Sequence, residues 1–248
     1  MLKKILILMV LPAVLLATKV DFSSRADTYP TAEFTFARLI YSGGSWRRGS
    51  NWAVDYPKAD RQFLYALRKL TDFEFIHPEN KSVAILSPEI FEYPFIYAVE
   101  VGHMYLSEAE VVQLREYLLR GGFLVVDDFH GEWEWRQFYS QIKRVFPEYE
   151  PRDLPLSHPI FHCYFNIEEL YQVPGIQYLY SGRTWEKGGY QARYMGIEND
   201  DGRLMVMINY NVDLGDAWEW AEVEAYPRRY ANLAFQLGTN YIIYAMTH

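Results

Sequence analysis

Two aspartates and a histidine lie together in the middle of the chain, directly after an apolar run. Asp127 and Asp128 follow the apolar residues 123–126, and His130 comes two positions later. A carboxylate beside an imidazole can act as an acid and base pair or bind a divalent metal. Adjacent strand residues point to opposite faces, so we expect one aspartate to enter a crevice and the other to cap the next helix. Asp128 and His130 are the candidate catalytic residues, and Asp127 is a candidate ligand-binding residue.

Three of the six histidines fall in two predicted loops that a compact fold could bring together near Asp128. They are His130, His158 and His162. Histidine with carboxylate suits zinc or another divalent metal, but Pro159 argues against a helix that would hold His158 and His162 on one face. In the alternative interpretation, His158 hydrogen-bonds within its loop and His162 is half-buried. His158 is kept as a candidate ligand-binding residue, and the metal is unknown.

A third group of polar and aromatic residues lies near a predicted hairpin in the C-terminal third. Amide side chains hydrogen-bond to hydroxyl groups, and the face of an indole stacks on a ring. These residues therefore suit a polar small molecule such as a sugar. Asparagine and aspartate also build turns through their own backbone, which is the favoured interpretation. The candidate ligand-binding residues are Arg203, Asn209, Asn211, Asp213 and Trp218. Earlier in the chain, Trp46, Arg47 and Arg48 either close over an anionic ligand or form an exposed loop.

Charge and cysteine content exclude some classes of function. The 248 residues carry a formal net charge of -8, which disfavours nucleic acid as a partner because phosphate binding relies on lysine and arginine. The chain has one cysteine, Cys163, so neither an internal disulfide framework nor a cysteine-based zinc cluster can form within it. We interpret Cys163 as a small buried hydrophobic residue.

The N-terminus has the layout of a secretory signal. Lys3 and Lys4 precede an uncharged apolar run over residues 5–17, which is shorter than the roughly 20 residues of a membrane-spanning helix. We expect export to the periplasm or the extracellular side of the envelope. Residues 1–19 are predicted to be a signal peptide or, if uncleaved, an anchor that makes the only membrane contact. Residues 20–31 then form a linker and residues 32–248 a single α/β domain.

Strand and helix patterns alternate along this domain, which predicts a βαβ organisation. The predicted strands cover residues 32–41, 83–86, 95–99, 123–126, 192–198 and 203–208. One predicted helix follows Asp60. Another begins at the N-cap Ser107, with Glu110 completing a capping box, and two more cover residues 132–145 and 228–244. The long irregular segment 147–189 is a candidate functional loop.

Five stretches, taken together and in order, resemble one bacterial family. They read FARLIYSGGSW, YLLRGGFLVVDDFHG, PLSHPIFHCYFNI, NDDGRLMVMINYNVDLGDAWEW and GTNYIIYAMTH. By them the chain is identified as a member of the family known as domain of unknown function 4159. The resemblance implies a flavodoxin-like three-layer α/β sandwich with a mostly parallel central sheet, similar to the class I glutamine-amidotransferase-like superfamily. It supplies no reaction.

True amidotransferases place a cysteine nucleophile on the turn between a central strand and a helix. The corresponding turn here, residues 127–131, contains no thiol. Our leading hypothesis is therefore a non-canonical amidotransferase-like module that binds a polar small molecule or an envelope protein partner. The alternative is an envelope hydrolase, carbohydrate-directed or metal-dependent, that uses Asp128 and His130. A third hypothesis is a structural assembly partner in an envelope complex.

Overall fold

The computed structural model describes residues 32–43 and 51–248, and all structural statements refer to these. The predicted signal segment, the linker up to residue 31 and the stretch with Trp46, Arg47 and Arg48 lie outside the described residues.

Seven strands form one mixed sheet in the order β2-β1-β3-β4-β7-β6-β5. They are β1 (Ala37–Ile40), β2 (Lys81–Ala84), β3 (Phe95–Val99), β4 (Phe123–Phe129), β5 (Arg152–Asp153), β6 (Arg193–Glu198) and β7 (Leu204–Tyr210). The first four and β7 pair in parallel, and β6 and β5 add an antiparallel edge. The predicted mostly parallel α/β organisation and the predicted hairpin are thus confirmed.

Six α-helices pack around this sheet within the described residues. They are α1 (Lys58–Leu70), α2 (Glu108–Leu119), α3 (Gly131–Val145), α4 (Gln177–Ser181), α5 (Leu214–Glu219) and α6 (Arg228–Thr247). One apolar core lies under α1, α5 and α6, and a second lies under α2 and α3, so helices cover both faces. None of the described helices is long and apolar enough to cross a bilayer.

Local sequence explains where α2 begins and why β4 is longer than predicted. The Ser107 hydroxyl accepts a hydrogen bond from the Glu110 backbone N–H, and the Glu110 carboxylate accepts one from the Ser107 N–H, which is the predicted capping box. Strand β4 continues three residues past its apolar run, because Asp127 still pairs with Val99 and Phe129 pairs with Tyr210. Two acidic residues are therefore carried to the end of a fully buried strand.

The predicted loop after β7 contains a helix, α5. Asp213 is its N-cap, and its side chain accepts a hydrogen bond from the Asp216 N–H. The helix has only 6 residues, so it shows less than two turns of apolar periodicity and could not be recognised by that pattern.

Candidate functional site

The carboxyl ends of three neighbouring parallel strands gather acidic residues at one edge of the sheet. Glu100 follows β3, Asp128 lies at the end of β4, and Asp213 follows β7. Loops beyond the carboxyl ends of strands form the usual ligand crevice of open α/β sheets. The group at this edge, which we call the acidic cluster, comprises Asp55, Glu100, His103, Asp128, His130, Glu134, Asp213, Asp216 and Glu219.

Three members of this cluster, Asp128, His130 and Asp213, form what we call the central triad. One potential metal-ligating atom from each lies within 4.8 Å of the others, and all three residues are buried. The Nε2 atom of His130 lies 3.2 Å from Asp128 Oδ1. His130 is only 1% exposed, and its buried Nδ1 atom has no hydrogen-bond partner among residues 32–43 and 51–248. An unpaired polar atom at such depth is costly unless something binds it.

Burial changes the protonation of the central triad. Desolvation raises the pKa of Asp128 to about 7. The charge of Lys187 opposes this rise, and the charge of Asp216 adds to it. Desolvation and the charges of Asp216 and Asp128 raise the pKa of Asp213 well above its usual value. Desolvation lowers the pKa of His130, so its imidazole is neutral near pH 7. The triad thus has two carboxyl groups and no positive charge of its own.

A second triad, Glu100, His103 and Glu134, already has a positive partner. Lys187 Nζ lies 2.7 Å from Glu134 Oε1 and 3.6 Å from Glu100 Oε2. Burial and the charge of Asp128 raise the pKa of Glu100 to about 8, although Lys187 opposes this. Although burial lowers the pKa of Lys187, Glu100 and Glu134 raise it overall, so the ammonium is retained. We call this group the lysine-paired triad.

A third triad, Asp55, Asp216 and Glu219, lies on the other side of Asp213, and we call it the lateral triad. Its ligand oxygens lie within 4.8 Å of one another. No lysine or arginine in the described part of the chain forms an ion pair with any of the three. Burial and the charges of Asp128 and Asp216 raise the pKa of Asp55 to about 9.

The loop over residues 186–189 covers the central triad through a close backbone contact with Gly131. Gly131 has a φ of 70°, and a methyl group on it would lie only 2.1 Å from the Lys187 carbonyl oxygen. Glu186 Oε1 lies 4.0 Å from His130 Nε2. This loop comes from the irregular segment 147–189, so that segment does contribute to the cluster.

Replacing Gly131 with alanine is expected to push this loop off the cluster. We expect Gly131→Ala to lower the free energy of unfolding by about 1–3 kcal/mol more than Gly202→Ala, the added cost being steric overpacking. Gly202 is a matched control because its φ is 77° and a methyl group there meets nothing within 4 Å. Urea unfolding of both variants measures the difference. Equal losses would contradict the close contact.

Asp127 stabilises α5 and does not line the cluster. Its Oδ2 atom accepts hydrogen bonds from the Tyr97 hydroxyl at 2.6 Å, from Leu214 N–H at 2.8 Å and from Gly215 N–H at 3.1 Å. We expected the second aspartate to cap the helix after β4. That expectation was wrong, because His130 is the N-cap of α3. The backbone N–H of His130 donates a hydrogen bond to the Glu134 carboxylate.

The five residues predicted near the hairpin do not form one binding surface. Arg203 donates to the carbonyls of Leu118 and Gly122, at the edge where β4 begins, opposite the acidic cluster. Asn209 is fully buried beneath the Tyr241 hydroxyl, and Trp218 is 1% exposed within the aromatic core.

The two remaining members of that group lie near the end of β7. The side-chain oxygen of Asn211 accepts a hydrogen bond from the Gly131 N–H, and its side-chain nitrogen donates one to the Gln191 carbonyl. Asn211 thereby connects the start of α3 to the segment that follows the loop over residues 186–189. Asp213 alone belongs to the acidic cluster.

His158 and His162 lie away from Asp128. His158 Nε2 is 3.4 Å from Glu198 Oε1, at the opposite edge of the sheet, because β6 runs antiparallel to β7 and Glu198 pairs with Leu204. His162 contacts the Leu156 carbonyl and Asn166. The expected meeting of three histidines in one crevice was therefore wrong, and His130 is the only one of them in the cluster.

Cys163 is half-buried, and its thiol donates to the Asn240 carbonyl at 3.2 Å. Burial raises the pKa of this thiol to about 11, which disfavours the reactive thiolate.

Several cluster residues were missed by the sequence interpretation. Glu100 follows the predicted strand 95–99 directly, so the same rule that selected Asp128 could have found it. Asp55, Glu134 and Lys187 come from a loop before α1, from the first turn of α3 and from an irregular segment. No motif connects these positions, since only the folded chain brings them together.

A separate apolar groove of about 720 Å³ lies between α1 and α6, lined in part by Tyr65, Phe165 and Phe235. It holds none of the three triads. Its lining holds none of the buried, converging carboxyl groups of the triads, so the candidate chemistry lies at the acidic cluster.

The three triads are all included in a match to a known protein family. Residues 35–246 match the model of the family described as a domain of unknown function, DUF4159. The chain belongs to this family. The DUF4159 match extends from just before β1 to the last turn of α6, so Asp55, Asp128 and Glu219 are all part of the family domain. No curated protein matches the chain.

Proposed function

We propose that this DUF4159 domain is an amidotransferase-like ligand-binding module and that its central triad binds a divalent cation. The parallel order of β2, β1, β3, β4 and β7, with helices on both faces, is what a flavodoxin-like fold of this type would have. In an amidotransferase-like fold, the end of β4 and the turn after it would take the place of the nucleophile. Asp128, with a φ of 50°, lies there instead of a thiol.

The observation that carries this proposal is the convergence of Asp128, His130 and Asp213 without a positive charge. Carboxylate oxygens and a neutral imidazole are the usual ligands of zinc and manganese. A divalent cation would offset the repulsion between Asp128 and Asp213 and would favour ionisation of both carboxyl groups.

The N-terminal sequence supports a place for this module outside the cytoplasm. Lys3 and Lys4 before the apolar residues 5–17 are typical of an export signal. We propose that the protein acts at the cell envelope, where a polar small molecule or another envelope protein is its further partner.

Cation binding is tested by titrating chelator-treated protein with Mn²⁺ and with Zn²⁺ in a calorimeter. A ligand at 100 times its Kd stabilises the fold by about 2.7 kcal/mol, which is about 5–10 °C in Tm for a domain of this size. We expect His130→Ala and Asp213→Asn to weaken binding by tenfold or more and to lose this Tm increase.

Asp201→Asn is the matched control, because Asp201 lies exposed in the turn between β6 and β7. It should keep the binding and the Tm increase. Absence of binding by the unsubstituted protein, or full binding by both triad variants, would contradict the proposal and favour an assembly role.

A metal-dependent or carbohydrate-directed hydrolase is the second candidate function, and the contact between Asp128 and His130 favours it. With a pKa of about 7, the Asp128 carboxyl can exchange a proton near neutral pH, which suits a general acid or base. Turnover of a model ester or glycoside, lost in Asp128→Asn and kept in Asp201→Asn, would move the assignment from module to enzyme.

A further inference from the structure

The lateral triad lies directly beside Asp213, which belongs to the central triad. A methyl group on Gly175 would lie 2.4 Å from Asp213 Oδ2 and 2.7 Å from Asp216 Oδ2. A methyl group on Gly215 would lie 2.8 Å from Asp55 Oδ2 and 3.6 Å from Asp213 Oδ1. The Asp213 carboxylate is therefore placed between the two triads.

Several buried polar atoms around this position lack a partner in the described part of the chain. The Oδ2 atom of Asp55 and both amide atoms of Gln177 are buried and accept or donate no hydrogen bond. The Gln177 oxygen would lie 2.7 Å from the same methyl position on Gly175. Asp213 is only 2% exposed, and only its Oδ1 atom is hydrogen-bonded, to the Asp216 N–H. The unpartnered Asp55 and Gln177 oxygens lie beside the two glycine positions that also contact the Asp213 carboxylate, and buried polar atoms without a partner point to a ligand there.

The lysine-paired triad provides an internal comparison. Lys187 forms ion pairs with both of its glutamates, whereas no lysine or arginine among the described residues forms an ion pair with the lateral triad. Asp216 is held in place by hydrogen bonds from Ile176 N–H to Oδ2 and from Trp220 Nε1 to Oδ1. Oriented carboxylates of this kind are typical of metal ligands supported by their surroundings.

We propose that the crevice binds two divalent cations, the second one held by Asp55, Asp216 and Glu219 and separated from the first by Asp213. This inference rests on the proposed function of the central triad. The second position offers only oxygen ligands, so it suits hard cations such as Mg²⁺, Ca²⁺ or Mn²⁺, while His130 makes the first position suited to Zn²⁺ or Mn²⁺ as well. Paired cations near a shared carboxylate are the arrangement of many hydrolytic centres.

Mn²⁺ is the probe that suits both positions. We expect the purified protein to bind two Mn²⁺ per chain by calorimetry, with an electron paramagnetic resonance spectrum broadened by coupling between them. Asp55→Asn should bind one Mn²⁺ and show the six-line spectrum of an isolated ion. His130→Ala should weaken the other position by tenfold or more, and Asp201→Asn should behave as the unsubstituted protein.

The outcomes separate this inference from the function on which it rests. One uncoupled Mn²⁺ that is lost in His130→Ala and unaffected in Asp55→Asn would overturn the second position and leave the first. No bound Mn²⁺ would overturn both. Far-ultraviolet circular dichroism and Tm of Asp55→Asn verify folding, and Glu219→Gln is a second variant of the same position that should likewise bind one ion.

Discussion

Replacing Arg38 with methionine is expected to destabilise the domain by about 3–5 kcal/mol, because it leaves the carboxylate of Asp60 buried without its cation. Both side chains are fully buried. Arg38 Nε donates to Asp60 Oδ2 at 3.1 Å, and Nη2 donates to Asp60 Oδ1. After the substitution, Asp60 would keep only the Asn80 amide, at 2.9 Å, as a side-chain partner. Urea unfolding at pH 7 measures the loss.

Arg193→Met is the matched control for this prediction. Arg193 also binds a carboxylate through two nitrogens, at 2.9 and 2.7 Å from the oxygens of Asp153, but both side chains are exposed. An exposed pair contributes about 0–1 kcal/mol, so the control should unfold almost like the unsubstituted protein. Equal losses in the two variants would contradict the importance of burial.

The same arginine supports the candidate site. Arg38 Nη1 donates to the carbonyls of Val54 at 2.6 Å and Trp52 at 3.3 Å, immediately before Asp55. Asp55 has a φ of 60°, which is an unfavourable backbone conformation for a residue with a side chain. We interpret the buried arginine as the group that holds Asp55 in position beside Asp216 and Glu219.

Between pH 6.5 and pH 8.5, the cation-free protein is expected to lose about 2–4 kcal/mol of its free energy of unfolding. The pKa values of Asp55 and Glu100, about 9 and about 8, are raised mainly by burial above the roughly 4 of an unfolded carboxyl. The folded state therefore binds more protons than the unfolded state over this window. Stability falls as pH rises until each folded pKa is passed.

His130 acts in the opposite direction at lower pH. Burial lowers its pKa, so the unfolded imidazole takes up a proton first, and the contribution of His130 to stability falls as pH drops below about 6.5. The loss of stability caused by the raised carboxyl pKa values is therefore measured above pH 6.5, by urea unfolding at four pH values. Asp55→Asn should flatten the slope and Asp201→Asn should not. A flat profile in the unsubstituted protein would contradict the raised pKa values.

Saturating Mn²⁺ should reduce the same pH dependence, because a bound cation favours the ionised carboxylates that a proton would otherwise neutralise. Proton release on Mn²⁺ binding, measured by calorimetry in buffers of different ionisation enthalpy, provides an independent measure of how many protons the cations displace.

The sequence alone determined the family, the α/β class and most of the elements. Periodicity and capping are local, so Ser107 and Glu110 predicted where α2 begins, and the turn at residues 199–202 predicted the hairpin. It also selected Asp128 and His130, because a polar residue that directly ends a buried strand of a parallel sheet must lie at the crevice edge.

Only the tertiary structure decided which residues join them. Asp55, Asp213 and Lys187 are separated by many residues along the chain, and neither periodicity nor spacing relates a loop before α1 to one after β7. The strand order and the antiparallel β6 also place Arg203 and His158 at the opposite edge, although both were predicted to be ligand-binding residues. Whether a side chain is buried, paired or free depends on packing between distant segments, and that packing placed a lysine beside one triad and none in an ion pair with the described residues of the other two.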